Sequence, residues 1–244
     1  MRALGITGTA FQKAAKRLEK RGRLVHPKQG FYVVVPPQYL AWEAPPPAWY
    51  IDALMKHQGR PYYVGLLKAA ELHGATHHAI MEFQVVTDKQ IPRIRAGRSV
   101  IAFYYRKDLR SVLAETTDHK TDTGRMKVSS PELTAFDMLR YALVVGGIDT
   151  IATVLSDLKG KLDDAKLGML AKDFECSVAQ RLGHLLDWLG ASDKTHALHA
   201  HVSSRSPLAW TDLEPRKGNR LSEDIIERDK RWHVVVHRKP EIDE

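Results

Sequence analysis

The stretch from Leu4 to Val35 restricts the possible folds of this chain most strongly. It begins with a turn containing glycine and threonine, continues as a basic amphipathic helix, and ends as two short apolar strands around a tight turn. This order is the second half of a winged helix-turn-helix, in which a recognition helix is followed by a β-hairpin called the wing. Because a recognition helix lies in the major groove, the stretch predicts DNA binding.

The helix has two chemically different sides when its residues are placed about 100° apart. Its small or apolar side holds Ala10, Phe11, Ala14, Ala15 and Leu18. Its polar side holds Thr9, Gln12, Lys13, Lys16, Arg17 and Lys20. A helix in the major groove needs this division, because cations bind phosphates while Arg, Gln or Thr read base edges. A basic helix face is more commonly a solvated surface, but the flanking turn and the hairpin favour DNA here.

The ends of the helix and the hairpin complete the predicted interface. Thr7 or Thr9 can cap the first turn, and Gly22 ends the helix. The turn between the strands is Pro27-Lys28-Gln29-Gly30, which places His26 and its neighbours near the wing tip. The predicted DNA contacts are Thr7, Thr9, Gln12, Lys13, Lys16, Arg17, Lys20, His26, Lys28 and Gln29.

A winged helix-turn-helix also needs helices before the recognition helix, and this sequence starts almost at the turn, with Met1-Arg2-Ala3-Leu4. We expect a truncated start. The alternatives are a start assigned too late, or replacement of the missing helices by another part of the protein. A domain this incomplete buries little apolar area alone.

Composition agrees with one or two domains that bind a polyanion. The chain has 244 residues and a formal net charge of +8. Its single cysteine, Cys176, excludes an intrachain disulfide and favours a reducing cytoplasm. No signal-peptide core or long apolar run is present, so neither secretion nor a membrane location is predicted.

Two proline clusters, Pro36-Pro37 and Pro45-Pro46-Pro47, predict a stiff connection after the wing. We therefore predict three parts: a winged helix-turn-helix domain at 1–37, a linker at 38–47 and a second domain at 48–244.

The second domain is predicted to mix strands and helices. Predicted strands cover 80–87, 100–106, 126–129 and 232–236. Predicted helices cover 49–55, 64–74, a segment starting at Ser130, 148–158, 163–171 and 176–189. The polar stretch 116–123 is predicted to be a surface loop, with a partner-binding loop as the alternative. Because strands come first and no regular βαβ alternation appears, the fold class is α+β, with a partial winged helix-turn-helix before a larger mixed domain.

A second basic patch follows the first predicted strand of this domain. Its members are Lys89, Arg93, Arg95 and Arg98. Phosphate binding and simple solvation of a loop explain this pattern equally well.

Catalytic and metal-binding signals are weak. One histidine cluster combines His73, His77 and His78 with Glu71 and Glu82, and another combines His196, His199 and His201. In the first cluster, Glu71 and His73 do not share a helix face. In the second, His196 and His199 could bind a metal as a helical pair, but no carboxylate ligand lies at a convincing offset. Cys176 begins a predicted helix, where its thiol either has a lowered pKa or is simply a small apolar residue. No P-loop and no Gly-x-Ser-x-Gly elbow is present. We predict no catalytic residue, no metal site and no cofactor.

Three stretches resemble the AbiEi family of antitoxins from type IV toxin–antitoxin and abortive-infection systems. They are Arg17–Leu24 with Gly30–Pro37, then Tyr62–Gly74, then Val128–Asp137. The resemblance implies an N-terminal winged helix that represses its own operon by binding inverted repeats in promoter DNA. It also implies a C-terminal domain that antagonises a nucleotidyltransferase-like toxin.

The resemblance leaves direct contact with the toxin open. A protein that acts on nucleic acid or nucleotides is expected to be basic near its active site, and this chain is basic too. The best acidic candidate is the C-terminal end, interrupted by Arg228, Lys230 and Arg231. Its acidic residues are Glu223, Asp224, Glu227, Asp229, Glu241, Asp243 and Glu244. We therefore expect antagonism without a long-lived complex. The alternative functions are a ligand-sensing transcription regulator and an enzyme that modifies the toxin, such as a kinase.

Overall fold

A computed structural model describes residues 7–76, 80–214 and 225–242. The helices are α1 (Gly8–Lys20), α2 (Ile51–His57), α3 (Leu66–Leu72), α4 (Leu109–Val112), α5 (Pro131–Arg140), α6 (Ile148–Leu158), α7 (Asp164–Leu170), α8 (Cys176–Trp188) and α9 (His196–Ser203). The strands are β1 (Leu24–Lys28), β2 (Phe31–Val34), β3 (Tyr62–Val64), β4 (Glu82–Thr87), β5 (Ile94–Ala96), β6 (Ser99–Tyr105), β7 (Thr116–Thr121), β8 (Gly124–Ser129), β9 (Thr211–Asp212), β10 (Glu227–Asp229) and β11 (Val234–Val236). The α+β class is confirmed.

Within the described residues the strands form three sheets. Strands β1 and β2 make an antiparallel hairpin. A six-stranded sheet has the order β5-β6-β4-β3-β8-β7, in which β4 pairs parallel with β6 and β3 pairs parallel with β8. A small sheet has the order β10-β11-β9.

The chain divides into two compact units that are not contiguous in sequence. The first gathers the described residues of 1–63, 81–107 and 118–127, and the second those of 64–80, 108–117 and 128–244. The proposed linker 38–47 therefore lies within the first unit, and two short 3₁₀ turns, Pro37–Trp42 and Pro47–Trp49, overlap its two ends. Whether 1–37 and 48–244 are separable domains stays a prediction.

The first unit holds α1, the β1–β2 hairpin and α2. On α2, Ile51, Leu54 and Met55 are fully buried. The ring of Phe31 in β2 lies 6.5 Å from that of Tyr50, the residue before α2, so the hairpin packs against this helix. These contacts fix the position of the predicted wing.

The second unit has α5 at its centre. Ser130 caps this helix by accepting a hydrogen bond from the Leu133 amide at 3.1 Å, and Pro131 occupies the first turn, as the sequence predicted. Every residue from Glu132 to Leu139 is buried, because α3, α6, α7 and α8 pack around the helix. The ring of Phe136 stacks on that of Phe174 at 4.5 Å.

Two predicted elements were wrong. The stretch 116–123 is not a loop, since its first six residues form β7, a hydrogen-bonded neighbour of β8. The turn after β7 is fixed within the first unit, where the Trp49 indole donates to Asp122 at 2.9 Å and the Thr123 hydroxyl donates to the Trp49 carbonyl at 2.6 Å. The predicted helix 64–74 is shorter, because Val64 ends β3 and α3 begins only at Leu66.

Candidate nucleic-acid interface

The ends of α1 are fixed by the residues that the sequence singled out. The hydroxyl of Thr7, in extended conformation, accepts a hydrogen bond from the Ala10 amide at 3.2 Å. At the other end, Gly22 has φ +65° and its amide donates to the Glu19 carbonyl at 2.9 Å. The Arg23 amide donates to the Leu18 carbonyl at 2.9 Å, which completes a Schellman motif.

The polar side of α1 is exposed and positively charged. We name as the basic face its four cations, Lys13, Lys16, Arg17 and Lys20, all of which are exposed. Together with Ala10 they line an open depression of about 520 Å³. None of these cations has a carboxylate partner among the described residues. Thr9 and Gln12 are exposed on the same helix.

The apolar side of α1 is covered unevenly. Ala15 is buried and Phe11 is half-buried, but Leu18 keeps 42% of its surface exposed. The rings of Phe11 and Tyr32 meet edge to face with their centroids 5.4 Å apart, which joins α1 to β2. The helix is therefore held against the hairpin, with its basic face left open.

The wing is a short hairpin whose turn is stabilised by a histidine. Lys28 pairs with Phe31, so Gln29 and Gly30 form the turn, and Gly30 has φ +77°. The His26 Nε2 accepts a hydrogen bond from the Gly30 amide at 3.2 Å, and its ring stacks on Tyr32 at 4.4 Å. His26 thus contacts the hairpin itself, whereas Lys28 and Gln29 are exposed at the tip.

The members of the second basic patch have different surroundings. Lys89 shares a cleft with the wing-tip residue Lys28. Arg93 pairs with Glu82 at 3.2 Å. Arg95 is exposed on β5, and the Arg98 guanidinium lies over the Trp42 ring at 5.9 Å.

Sequence reasoning missed two residues next to the wing tip, His57 and Arg60. The His57 Nε2 lies 3.1 Å from the Gln29 carbonyl oxygen, and its ring lies 5.5 Å from that of Phe31. Arg60 lines the same cleft as Lys28. No local pattern relates residues about 30 positions apart, so only the fold brings them to the wing.

The histidine and cysteine candidates show no metal or nucleophile geometry in the described part of the chain. There, no three His, Cys, Asp or Glu residues are placed to hold a metal ion. His73 bonds to the Ser129 carbonyl at 2.8 Å, while His196 and His199 contact an oxygen of Asp193 and of Ser203, respectively, each at 3.2 Å. His77 and His78 lie outside the described residues.

Cys176 does not have the lowered pKa considered for its position. Partial burial raises the pKa of its thiol above the ordinary value, against a smaller opposing effect of Arg205. This environment disfavours the thiolate, which is the nucleophilic form of the side chain.

No helix among residues 7–76, 80–214 and 225–242 combines the length and apolarity that crossing a bilayer requires.

Comparison with known proteins gives a family and a fold. The chain matches the family model described as the AbiEi antitoxin C-terminal domain over residues 63–188. A search of curated proteins finds no match. Among solved structures, the chain is similar to the RV2827C protein from Mycobacterium tuberculosis, with a TM-score of 0.66 and 17% identity over 92% of this chain and 79% of that one. At this identity the likeness shows the fold alone. The family match spans just over half of the 244 residues, and the chain therefore belongs to the AbiEi antitoxin family.

Proposed function

We propose that this protein is the antitoxin and autorepressor of a type IV toxin–antitoxin operon. In this proposal, α1 and the wing bind inverted repeats in the promoter. The matched region, 63–188, antagonises a nucleotidyltransferase-like toxin. The chain acts as a regulator and not as an enzyme.

The observation that carries DNA binding is the unpaired basic face of α1. Some exposed cations elsewhere in the described residues lie beside carboxylates, as Lys56 does at 2.6 Å from Asp52 and Lys127 at 2.9 Å from Asp118. Four neighbouring cations without such partners repel one another, and a polyanion relieves that repulsion. A DNA backbone supplies phosphates at regular spacing along a groove that admits a helix.

The remaining predicted residues have distinct expected roles. Thr7 caps the first turn of α1. The N-terminal end of this helix, with its backbone amides and Thr9, is proposed to face the DNA. Gln12 presents an amide that can pair with an adenine edge. Lys28 and Gln29 contact backbone beside the groove, while His26 keeps the wing turn in shape.

The DNA-binding part is tested by replacing Lys16 with Ala in the full-length protein. Loss of one phosphate contact should weaken binding to every duplex sequence about equally and reduce the slope of log K against log salt by about 0.9. Fluorescence anisotropy between 50 and 200 mM salt measures both quantities. Lys166→Ala, which removes an exposed lysine from α7, is the matched control. A Lys16 variant with wild-type affinity and slope would show that α1 does not bind DNA.

Recognition of the DNA base sequence is tested separately with Gln12→Ala. We expect this variant to keep its salt slope but to lose part of its preference for the promoter repeat over an arbitrary duplex, about 1 kcal/mol. An unchanged preference would remove Gln12 from the base-reading set.

The antitoxin part is tested by growth. Co-expression with the neighbouring nucleotidyltransferase-like reading frame should restore growth that the toxin alone stops. The basic-face variants should rescue as well as wild type, since the matched antitoxin domain begins at residue 63. Continued arrest with the wild-type protein would contradict an antitoxin role towards that product.

A further inference from the structure

A polar cleft of about 460 Å³ lies at the wing tip, inside the first unit. Its basic lining residues are Lys28, His57, Arg60 and Lys89, and three glutamines complete its polar surface. We call it the wing cleft. The residues come from the β1–β2 turn, the end of α2 and the loop after β4.

Packing holds the wing cleft in shape. His57 ends α2 and lies with its Nε2 at 3.1 Å from the Gln29 carbonyl oxygen. The space beside Gly30 is occupied by the same ring, since a Cβ at Gly30 would lie 3.6 Å from His57 Cε1. The wing tip is therefore fixed before any ligand arrives, which lowers the entropy cost of binding.

The charge of the wing cleft is positive. Lys28 and Lys89 are exposed, and neither has a carboxylate partner among the described residues. Arg60 lies 3.8 Å from Asp88, which offsets its charge in part. The wing cleft thus offers two unpaired ammonium groups, a guanidinium and several amide donors. Groups of these kinds bind phosphate oxygens.

We propose that the wing cleft binds a DNA backbone phosphate beyond those contacted by α1. The inference rests on the proposed DNA-binding function and extends its footprint. It makes His57, Arg60 and Lys89 part of the interface, although they lie outside the helix and the hairpin. Since phosphate contacts carry no sequence information, the wing cleft sets affinity and register but not base preference.

The shape of the wing cleft favours a polymer over a free nucleotide. No Phe, Tyr or Trp lines the cleft for a base to stack on, and its one aromatic ring, that of His57, already packs against Phe31 and Gly30. Its cationic side chains are largely solvent-exposed, so a single small anion gains little there. Once α1 has bound a duplex, the next backbone phosphates are held near the wing cleft at a high effective concentration. The same weak contacts are then sufficient to bind one of them.

The test compares Lys89→Ala with Lys120→Ala, an exposed lysine on β7 in the same unit. Binding of the full-length protein to a duplex of arbitrary sequence is followed against salt. For Lys89→Ala we expect about fivefold weaker binding at 100 mM salt and a salt slope reduced by about 0.9. Lys89→Arg should restore both, because a guanidinium also binds phosphate, and Lys120→Ala should behave as wild type.

The outcomes separate the two ideas. If Lys16→Ala weakens binding but Lys89→Ala matches Lys120→Ala, the wing cleft proposal is wrong while DNA binding by α1 stands. If the wild-type protein binds no duplex at 50 mM salt, the proposed DNA-binding function fails. A parallel titration with ATP tests the other source of phosphate. Lys89-dependent ATP binding with unchanged duplex affinity would overturn the assignment to DNA.

Discussion

A single glycine in α8 illustrates how closely the second unit is packed. Gly183 faces the indole of Trp232, which is fully buried and donates its Nε1 proton to Asp187 at 2.6 Å. A Cβ at residue 183 would lie 2.3 Å from two indole carbons. Because Trp232 is also held by the edge of the His199 ring at 5.2 Å, it has little freedom to withdraw.

Gly183→Ala should therefore destabilise the protein, although alanine in a helix interior is ordinarily better than glycine by about 1 kcal/mol. Overpacking of a well-filled core costs about 1–3 kcal/mol, so the clash outweighs the gain in helix propensity. Urea unfolding followed by tryptophan fluorescence measures the free energy of unfolding. Gly160→Ala is the control, since a Cβ there meets nothing within 4 Å. A Gly183 variant as stable as wild type would show that Trp232 is mobile.

At the scale of elements, one ion-pair cluster joins the C-terminal segment to α6. Arg238 binds Asp149 with both terminal nitrogens, at 2.7 and 2.8 Å, and also contacts Glu214. The amide of Glu241 donates to the same Asp149 carboxylate at 2.8 Å. The hydrogen bond from Arg238 is the main reason that the pKa of Asp149 lies below its ordinary value of 3.8.

This lowered pKa fixes the sign of a pH dependence. A carboxyl with a lower pKa in the folded state stabilises the fold fully above its unfolded pKa of about 3.8, and that contribution is lost as pH falls through the folded value. Asp149→Asn should therefore cost about 0.5–1 kcal/mol at pH 7, a value limited by the solvent exposure of the pair. The cost should shrink towards pH 3. Urea unfolding at both pH values checks this, with the exposed Asp193→Asn as control. An equal cost at both values would contradict the ion-pair account.

Elements with strong patterns could be predicted from sequence, and those without them could not. The period of α1 and the Ser130-Pro131 start of α5 are local signals, and both helices are present. Strand β7 was missed because its residues are polar and mostly exposed, so no apolar alternation marks it. Strand β3 was missed, and its last residue, Val64, was assigned to the following helix, because three buried residues in a row carry no period. The basic face is a local property of one helix, whereas the wing cleft depends on distant segments meeting.

At the scale of the whole molecule, the family match covers residues 63–188 and leaves α1 and the wing outside it. A fragment starting at Pro47 lacks both, together with the packing of Phe31 on Tyr50 and His57. It also loses the hydrogen bond from the Arg98 amide to the Trp42 carbonyl, at 3.2 Å. These contacts belong to the first unit, so the second unit keeps its core.

We expect this fragment to fold, to rescue growth from the toxin, and to lose promoter binding. Its remaining length of about 200 residues is ample for a core. Circular dichroism, growth rescue and anisotropy measure the three properties. Rescue that requires residues 1–36 would show that antagonism does not reside in the matched domain.

The charge of the whole molecule bears on how antagonism is exerted. The proposed toxin, which would act on nucleic acid or nucleotides, is expected to be basic around its active site, and the net charge of +8 on this chain gives no long-range attraction to such a surface. The strongest candidate for an acidic patch that could bind the toxin is the C-terminal end. Within it, the carboxylate of Asp229 is already engaged by partners in this chain. It lies 2.7 Å from His184 Nδ1 and accepts hydrogen bonds from the Arg231 and Trp232 amides. Glu227 and Glu241 remain exposed, while Glu223, Asp224, Asp243 and Glu244 lie outside the described residues.

We therefore predict that the purified antitoxin and its toxin form no long-lived complex. The two proteins are mixed at equal concentration and run on a sizing column at ordinary salt, and they should elute as separate peaks. Like-charged surfaces without a complementary patch gain no electrostatic steering towards each other and no buried contact that would hold them together. The same preparations should be shown beforehand to be active, the toxin in growth arrest and the antitoxin in rescue. A repeat at low salt distinguishes weak attraction from none, since screening masks exposed charges beyond about 10 Å at 0.1 M salt. Co-elution as a stable complex at ordinary salt would show that a local patch outweighs the net charge and that antagonism proceeds by direct contact.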